Sequence, residues 1–127
     1  PALEVIDSRY ENFNFTLPDV VADQASAALV VLGGNARSPK DLDLRLLGML
    51  LELNGEIVAT GAGAAVLGHP ADAIAWLVNK MADMGAGGLE EGDLVMAGGL
   101  VEAFAVEPGD HLRAEFAHLG PVSRKCI

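Results

Sequence analysis

The residues with the types and spacing to do chemistry fall first in PALEVIDSRY. The run Leu3-Glu4-Val5-Ile6 alternates as a strand does, which puts Glu4 and Ile6 on one face and Leu3 and Val5 on the other. A glutamate in that position is either solvated, as most are, or one ligand of a hard divalent cation. Such a cation takes oxygen donors and generally more than one carboxylate. The stretch alone leaves both readings open. Asp7 and Arg9 follow directly and suit a strand-end salt bridge.

The second group is VVADQAS, where Asp23, Gln24 and Ser26 cluster after an apolar pair. They could hydrogen-bond a small anionic ligand, or they could cap a helix or a turn. GAGAAVLGHP offers glycines that either cradle an anion or let two backbones approach closely. It matches neither GxGxxG nor GxxxxGK[ST], which favours close packing over a nucleotide site. His69, just before Pro70, reads as a helix N-terminal residue rather than a ligand, since no second histidine lies at metal spacing. His111 and His118 read as solvent-facing. The single cysteine, Cys126, allows neither an internal disulfide nor a CxxC metal site, and fits a reducing cytoplasm.

These residues must be positioned by a chain of 127 residues with 51% hydrophobic content, enough for one domain core. The net charge of −10 leaves no basic stripe, which speaks against a nucleic-acid partner. The apolar runs are interrupted well short of the roughly 18–20 residues of a spanning helix, so no membrane segment is expected. LGGNARSPKDLD (residues 32–43) reads as a surface loop. Asn54-Gly55 between apolar runs supplies the positive φ angles of a type I′ turn and predicts a β-hairpin over residues 44–60. Ile74, Leu77, Val78, Met81 and Met84 recur at helical spacing. With Pro70 in the first turn and Gly85 just past the end, they predict one long helix over 70–84. Strands are expected near residues 94–97 and 102–106. After a Pro-Gly turn, another is expected in HLRAEFAHL, where Leu112, Ala114 and Phe116 alternate with His111, Arg113 and Glu115. The expected class is α+β, mainly β, a roll or sandwich with one long helix.

Taken together and in order, PALEVIDSRY, VVADQAS, GAGAAVLGHP and PGDHLRAEFAHLGPVS resemble the 2-hydroxypenta-2,4-dienoate hydratase and 4-oxalocrotonate decarboxylase family of the fumarylacetoacetate hydrolase superfamily. The resemblance covers essentially the whole chain as one domain, residues 1–127, and corresponds to the C-terminal half of such an enzyme. It implies a metal-dependent lyase of aromatic meta-cleavage catabolism, in which Glu4 is the last ligand of Mg²⁺ or Mn²⁺. The first two ligands come from a Glu-x-Glu in the N-terminal half, as do the essential lysine and the carboxylate for proton transfer. The catalytic residues are therefore not assigned to this chain. Gln24 and Ser26 are implied to lie near the bound 2-oxo acid. Asp23 and Ser26 match the family loop, whereas Gln24 stands where Asn is usual.

Tyr10 and the Gly-Gly pair of MAGGL resemble the decarboxylase branch, which implies decarboxylation of 4-oxalocrotonate, with diene hydration as the alternative. The resemblance also implies a homo-oligomer, and a decarboxylase and hydratase that can associate with each other. An alternative of another class is a non-catalytic fragment, or one subunit of a split enzyme that pairs with an N-terminal half chain. On either account the isolated chain should neither bind metal tightly nor turn over.

Overall fold

Turn chemistry and alternation account for most of the elements. The computed structural model describes residues 1–127. In chain order they form β1 (Ala2–Ile6), α1 (Leu17–Ala22), β2 (Ala27–Leu32), β3 (Gly48–Leu53), β4 (Glu56–Ala62), α2 (Pro70–Asp83), β5 (His111–Phe116) and β6 (Gly120–Lys125). Asn54 and Gly55 both take positive φ, +54° and +89°, and join β3 to β4 as the hairpin signal requires. Gly109 has φ +102°, and Asp110 donates its N–H to the Glu107 carbonyl, so the Pro-Gly turn before β5 forms as well.

The main sheet is antiparallel in the order β4-β3-β5-β6. Its register sets Met49 opposite Phe116, Leu51 opposite Ala114, and Ala114 opposite Val122. These five residues and Leu47 form the buried core, on the face the β5 alternation predicts. A second sheet is a two-stranded ribbon in which β1 runs antiparallel to β2, from Ala2 opposite Leu32 to Ile6 opposite Ala27. Leu3 and Val31 pack their side chains on the core, and the ribbon touches the main sheet along β6. The class is therefore the expected one, mainly β with one long helix.

Three local expectations are corrected. The hairpin begins at Gly48 rather than at residue 44, because Asp43 Oδ1 accepts from the N–H of Arg45 and of Leu46, both at 3.1 Å, and bends residues 43–46 into a turn. The strands expected near 94–97 and 102–106 do not form. Their segment lies across β4 instead of alongside it: a Cβ on Gly61 would meet the Leu100 carbonyl oxygen at 2.7 Å. Gly98, at φ +122°, breaks the run between them. Conversely, α1, β2 and β6 are elements that the sequence reading did not identify. The helix α2 ends at Asp83, one residue early, with Gly85 at φ +66° beyond it.

Much apolar surface remains open. Only ten residues are buried, and the accessible surface of 8807 Å² exceeds the about 6,400 Å² typical of a folded monomer of 13.1 kDa by roughly 2,400 Å². α2 has no buried residue. Trp76 and Met84 are largely exposed, and an open apolar groove runs between the helix and Leu44, lined also by Ile74, Val78 and Val95. No helix is long and apolar enough to cross a membrane.

Candidate functional site

The ribbon and the turn that feeds it carry the polar side chains singled out in the sequence. On β1, Glu4 stands directly opposite Val30, and cross-strand partners share a face. That face is open: Glu4 is exposed among Ile6, Val30 and Leu32, which are 36%, 43% and 58% exposed. A carboxylate thus sits in the middle of an uncovered apolar strip, on the face its alternation predicts.

Beyond Ile6 the ribbon continues for one more link, the Asp7 N–H to the Ser26 carbonyl at 2.8 Å. Ser26 ends a turn launched by α1. That helix starts on a capping box in which Thr16 donates its N–H (2.8 Å) and its hydroxyl (2.7 Å) to Asp19 Oδ2. These bonds hold the Asp19 carboxyl below the usual range. Tyr10 and Phe13 pack edge-on against Phe15, each at 6.3 Å between ring centres. Partial removal from water pushes the Tyr10 phenol up, and the charges of Asp19 and Asp23 add to the shift.

After Asp23 the backbone enters the left-handed region for three successive residues: Gln24, Ala25 and Ser26, at φ +54°, +56° and +59°. For residues with a Cβ this costs about 1–2 kcal/mol each, so something must hold the turn. Asp23 and Ser26 are both buried, 6% and 3% exposed. Asp23 Oδ2 accepts from the Ser26 hydroxyl at 3.0 Å and from the Arg9 N–H at 3.3 Å. The Arg9 Nε pairs with Asp23 Oδ1, and one terminal nitrogen donates to the Asp23 carbonyl. The other donates to the carbonyls of Ala27 (3.0 Å) and Asp7 (3.1 Å). Burial pushes the Asp23 carboxyl up, but hydrogen bonds from Ser26 and Arg9 outweigh it and its pKa is lowered.

The structure therefore gives Arg9 to Asp23. The expected Asp7 salt bridge is replaced by a bond to the Asp7 backbone, because the turn brings the Asp23 carboxylate to the end of β1. Ser26 lies inside with its hydroxyl donated to Asp23, whereas Gln24 lies outside in solvent. Ser26 pairs three residues along β1 from Glu4, a separation of roughly 10 Å at strand rise. Glu4 is joined by no further ligands: no group of three His, Cys, Asp or Glu residues could hold a metal ion. One carboxylate suits a hard cation but does not retain it, so the chain alone is not a complete metal site.

The remaining candidates are structural. His69 is the N-cap of α2, its Nδ1 accepting from the Ala71 N–H at 3.0 Å. Gly63 serves close packing, since a Cβ there would lie 1.8 Å from the Leu44 carbonyl oxygen. His111 and His118 are exposed, and Cys126 is a free thiol.

The family model described as fumarylacetoacetate (FAA) hydrolase C-terminal matches residues 7–126. A 4-oxalocrotonate decarboxylase of Pseudomonas putida is 48% identical over all 127 residues, which make up 48% of its own length. A 2-keto-4-pentenoate hydratase of Paraburkholderia xenovorans is 44% identical over 96% of the chain and 45% of its own. The solved structure of 4-oxalocrotonate decarboxylase from Pseudomonas putida G7, complexed with magnesium and adipate, superposes with a TM-score of 0.95 at 47% identity. It covers the whole chain and 48% of its own. The chain thus spans about half the length of the curated relatives it matches. With the family model matching all but the first six residues and the last, the chain belongs to the fumarylacetoacetate hydrolase C-terminal family.

Proposed function

We propose that this chain forms the C-terminal half of a metal-dependent lyase that decarboxylates 4-oxalocrotonate (2-oxo-hexenedioate) to 2-hydroxypenta-2,4-dienoate in aromatic meta-cleavage catabolism. The observation that carries this reading is the superposition on a decarboxylase complexed with magnesium and adipate. Adipate is a six-carbon dicarboxylate, matching 2-oxo-hexenedioate in length and in its two acid ends, and the decarboxylase relative at 48% identity stands above the hydratase at 44%. The hydratase is the runner-up, supported by relatives at 44% identity.

In this reading Glu4 supplies one carboxylate ligand to Mg²⁺, or to the similarly hard Mn²⁺, and the other ligands come from residues outside this chain. When bound, the cation polarises the 2-oxo carbonyl and stabilises the negative charge that develops there. The chain's own residues then do two things. Glu4 contributes charge from an open, apolar face, and the turn carrying Gln24 and Ser26 borders the acid end of the substrate. The proton-transfer groups belong to the N-terminal half. A reducing, cytoplasmic setting is consistent with the single free thiol.

A reading of another class, a non-catalytic half or one subunit of a split enzyme, is favoured by the incomplete ligand set and the open apolar surface. Association separates these states. With roughly 2,400 Å² of surface in excess, the chain should bind an N-terminal half or a copy of itself, within a homo-oligomer or a decarboxylase–hydratase complex. Light scattering that finds a compact monomer throughout the micromolar range would count against self-association, and no gain in mass on mixing with an N-terminal half would count against that pairing.

The functional test is CO₂ release from 2-oxo-hexenedioate by the complete enzyme, followed with and without Mg²⁺. Glu4→Gln removes a charge at nearly constant shape. It should weaken metal affinity and abolish turnover there, while leaving the properties of the isolated 127-residue chain unchanged. Intact turnover and metal dependence in the variant would return Glu4 to a solvated strand residue.

A further inference from the structure

We propose that Arg9 is a positioning residue whose guanidinium locks the left-handed turn Gln24–Ser26 against the end of β1, fixing Ser26 relative to Glu4. The proposal rests on the reading of Glu4 and Ser26 as site residues, and it has Arg9 act through the turn rather than directly on substrate or metal.

The geometry is that of a clasp. The turn enters at Asp23 and leaves at Ala27, and Arg9 binds both ends: Nε and a terminal nitrogen reach the Asp23 carboxylate and carbonyl, while the other terminal nitrogen reaches the Ala27 carbonyl. A further bond to the Asp7 carbonyl anchors the same group to the strand end. Three residues that are neither Gly nor Asn are held at positive φ inside that clasp. No lysine reproduces it, because a point charge with one nitrogen cannot span both ends as a planar fork does. Without the clasp the turn relaxes toward ordinary backbone and carries Ser26 with it. A displacement of about 1 Å at a substrate-positioning group is enough to cost on the order of 100-fold in rate. Arg9 is itself half exposed at its side chain, 51%, so a small cation can reach the position it leaves.

The test uses the complete enzyme containing this chain. Arg9→Ala should lower kcat by about 100-fold while Mg²⁺ affinity, measured by calorimetry, stays at the parent value. Added guanidinium ion should restore part of the rate, and Arg9→Lys should remain impaired. Combining Arg9→Ala with Ala25→Gly should also recover activity, because glycine takes positive φ without a steric penalty. A role in general folding alone would be rescued by neither. The second readout is independent of chemistry: in Arg9→Ala, amide hydrogen exchange at Asp7 and Ala27 should accelerate, and Ala25→Gly should slow it again.

Parent-like kcat in Arg9→Ala, or a loss that neither guanidinium nor Ala25→Gly relieves, overturns the proposal. If the parent enzyme shows no metal-dependent turnover, it is the lyase reading that fails. The exchange rates then decide the clasp by themselves: unchanged protection in Arg9→Ala overturns it, and lost protection supports it.

Discussion

The four-stranded sheet and the ribbon with its turn are held by different forces. In the sheet, Met49, Leu51, Ala114, Phe116 and Val122 interlock as a buried apolar cluster, and its charged residues, such as Arg113 paired with Glu52, lie on the outer side. In the ribbon the apolar residues Ile6, Val30 and Leu32 face outward uncovered, and the most buried groups are the polar Asp23 and Ser26. Hydrophobic burial needs only approximate shape to be effective, whereas a buried ion pair needs nearly complete hydrogen bonding. The sheet is therefore the scaffold, and the ribbon end is a shaped, polar element with an apolar face still to be covered.

Three measurements would break or sharpen that contrast. The largest effect is expected in the sheet. Phe116→Ala removes a ring from the centre of the cluster and should lower stability by about 3–5 kcal/mol, read from denaturant unfolding. A loss under 1 kcal/mol would mean that the cluster is not what holds the sheet.

Acid should act first on the ribbon end. Asp23 has a folded pKa below its ordinary 3.8, so its contribution is complete above that value and is lost as pH falls through the lowered one. Asp110 follows the same sign, since Asn54 and the Glu107 N–H both donate to its carboxylate at 2.8 Å. It is, however, a half-buried turn residue beside an intact sheet. Amide protection at Asp7 should therefore fade below the ordinary carboxylate range while protection at Leu51 and Ala114 persists. Simultaneous loss at all three would show one cooperative unit and remove the distinction.

The smallest effect belongs to Gln24→Asn. Asn is enriched several-fold over other side chains at positive φ, so the variant should gain a few tenths of a kcal/mol in thermal unfolding, well under the 1–2 kcal/mol cost of the conformation. A decrease would mean that the Gln24 side chain makes a contact its exposure does not suggest.

The same contrast explains what the sequence revealed. The hairpin at Asn54-Gly55, the helix from Pro70 and the alternation of β5 are local signals, with the turn residues and the period adjacent in the chain, and all three form. Residues 94–106 have strand-like composition but pass over β4 without pairing to its free edge, and composition does not say whether a ladder forms. β6 hides behind Pro121 and its polar neighbours Ser123, Arg124 and Lys125. The capping box Thr16-x-x-Asp19 was present in the sequence, with Pro18 inside it, and could have identified α1.

At the site, Glu4, Gln24 and Ser26 were visible as a motif, and their outward and inward placement on the ribbon was half visible from alternation. Arg9 was not. Its partner lies 14 residues away, and nothing in Gln24-Ala25-Ser26 advertises three positive φ angles, since neither Gly nor Asn occurs there.

The approach of Gly63 to Leu44 bears on where this chain tolerates insertion. The Leu44 carbonyl occupies the space a side chain at Gly63 would need, and the Gly63 and Ala64 N–H groups bond back to Leu47 and Arg45 at 3.0 and 2.8 Å. The polar stretch after β2 is consequently two different things. Residues 43–47 are stitched to the end of β4 and leave no slack. Gly34, by contrast, has nothing within 4 Å of the position of a Cβ. A dye or a tether to a companion half belongs at Gly34, about ten residues before the stitch, where added length is absorbed by solvent instead of by the sheet.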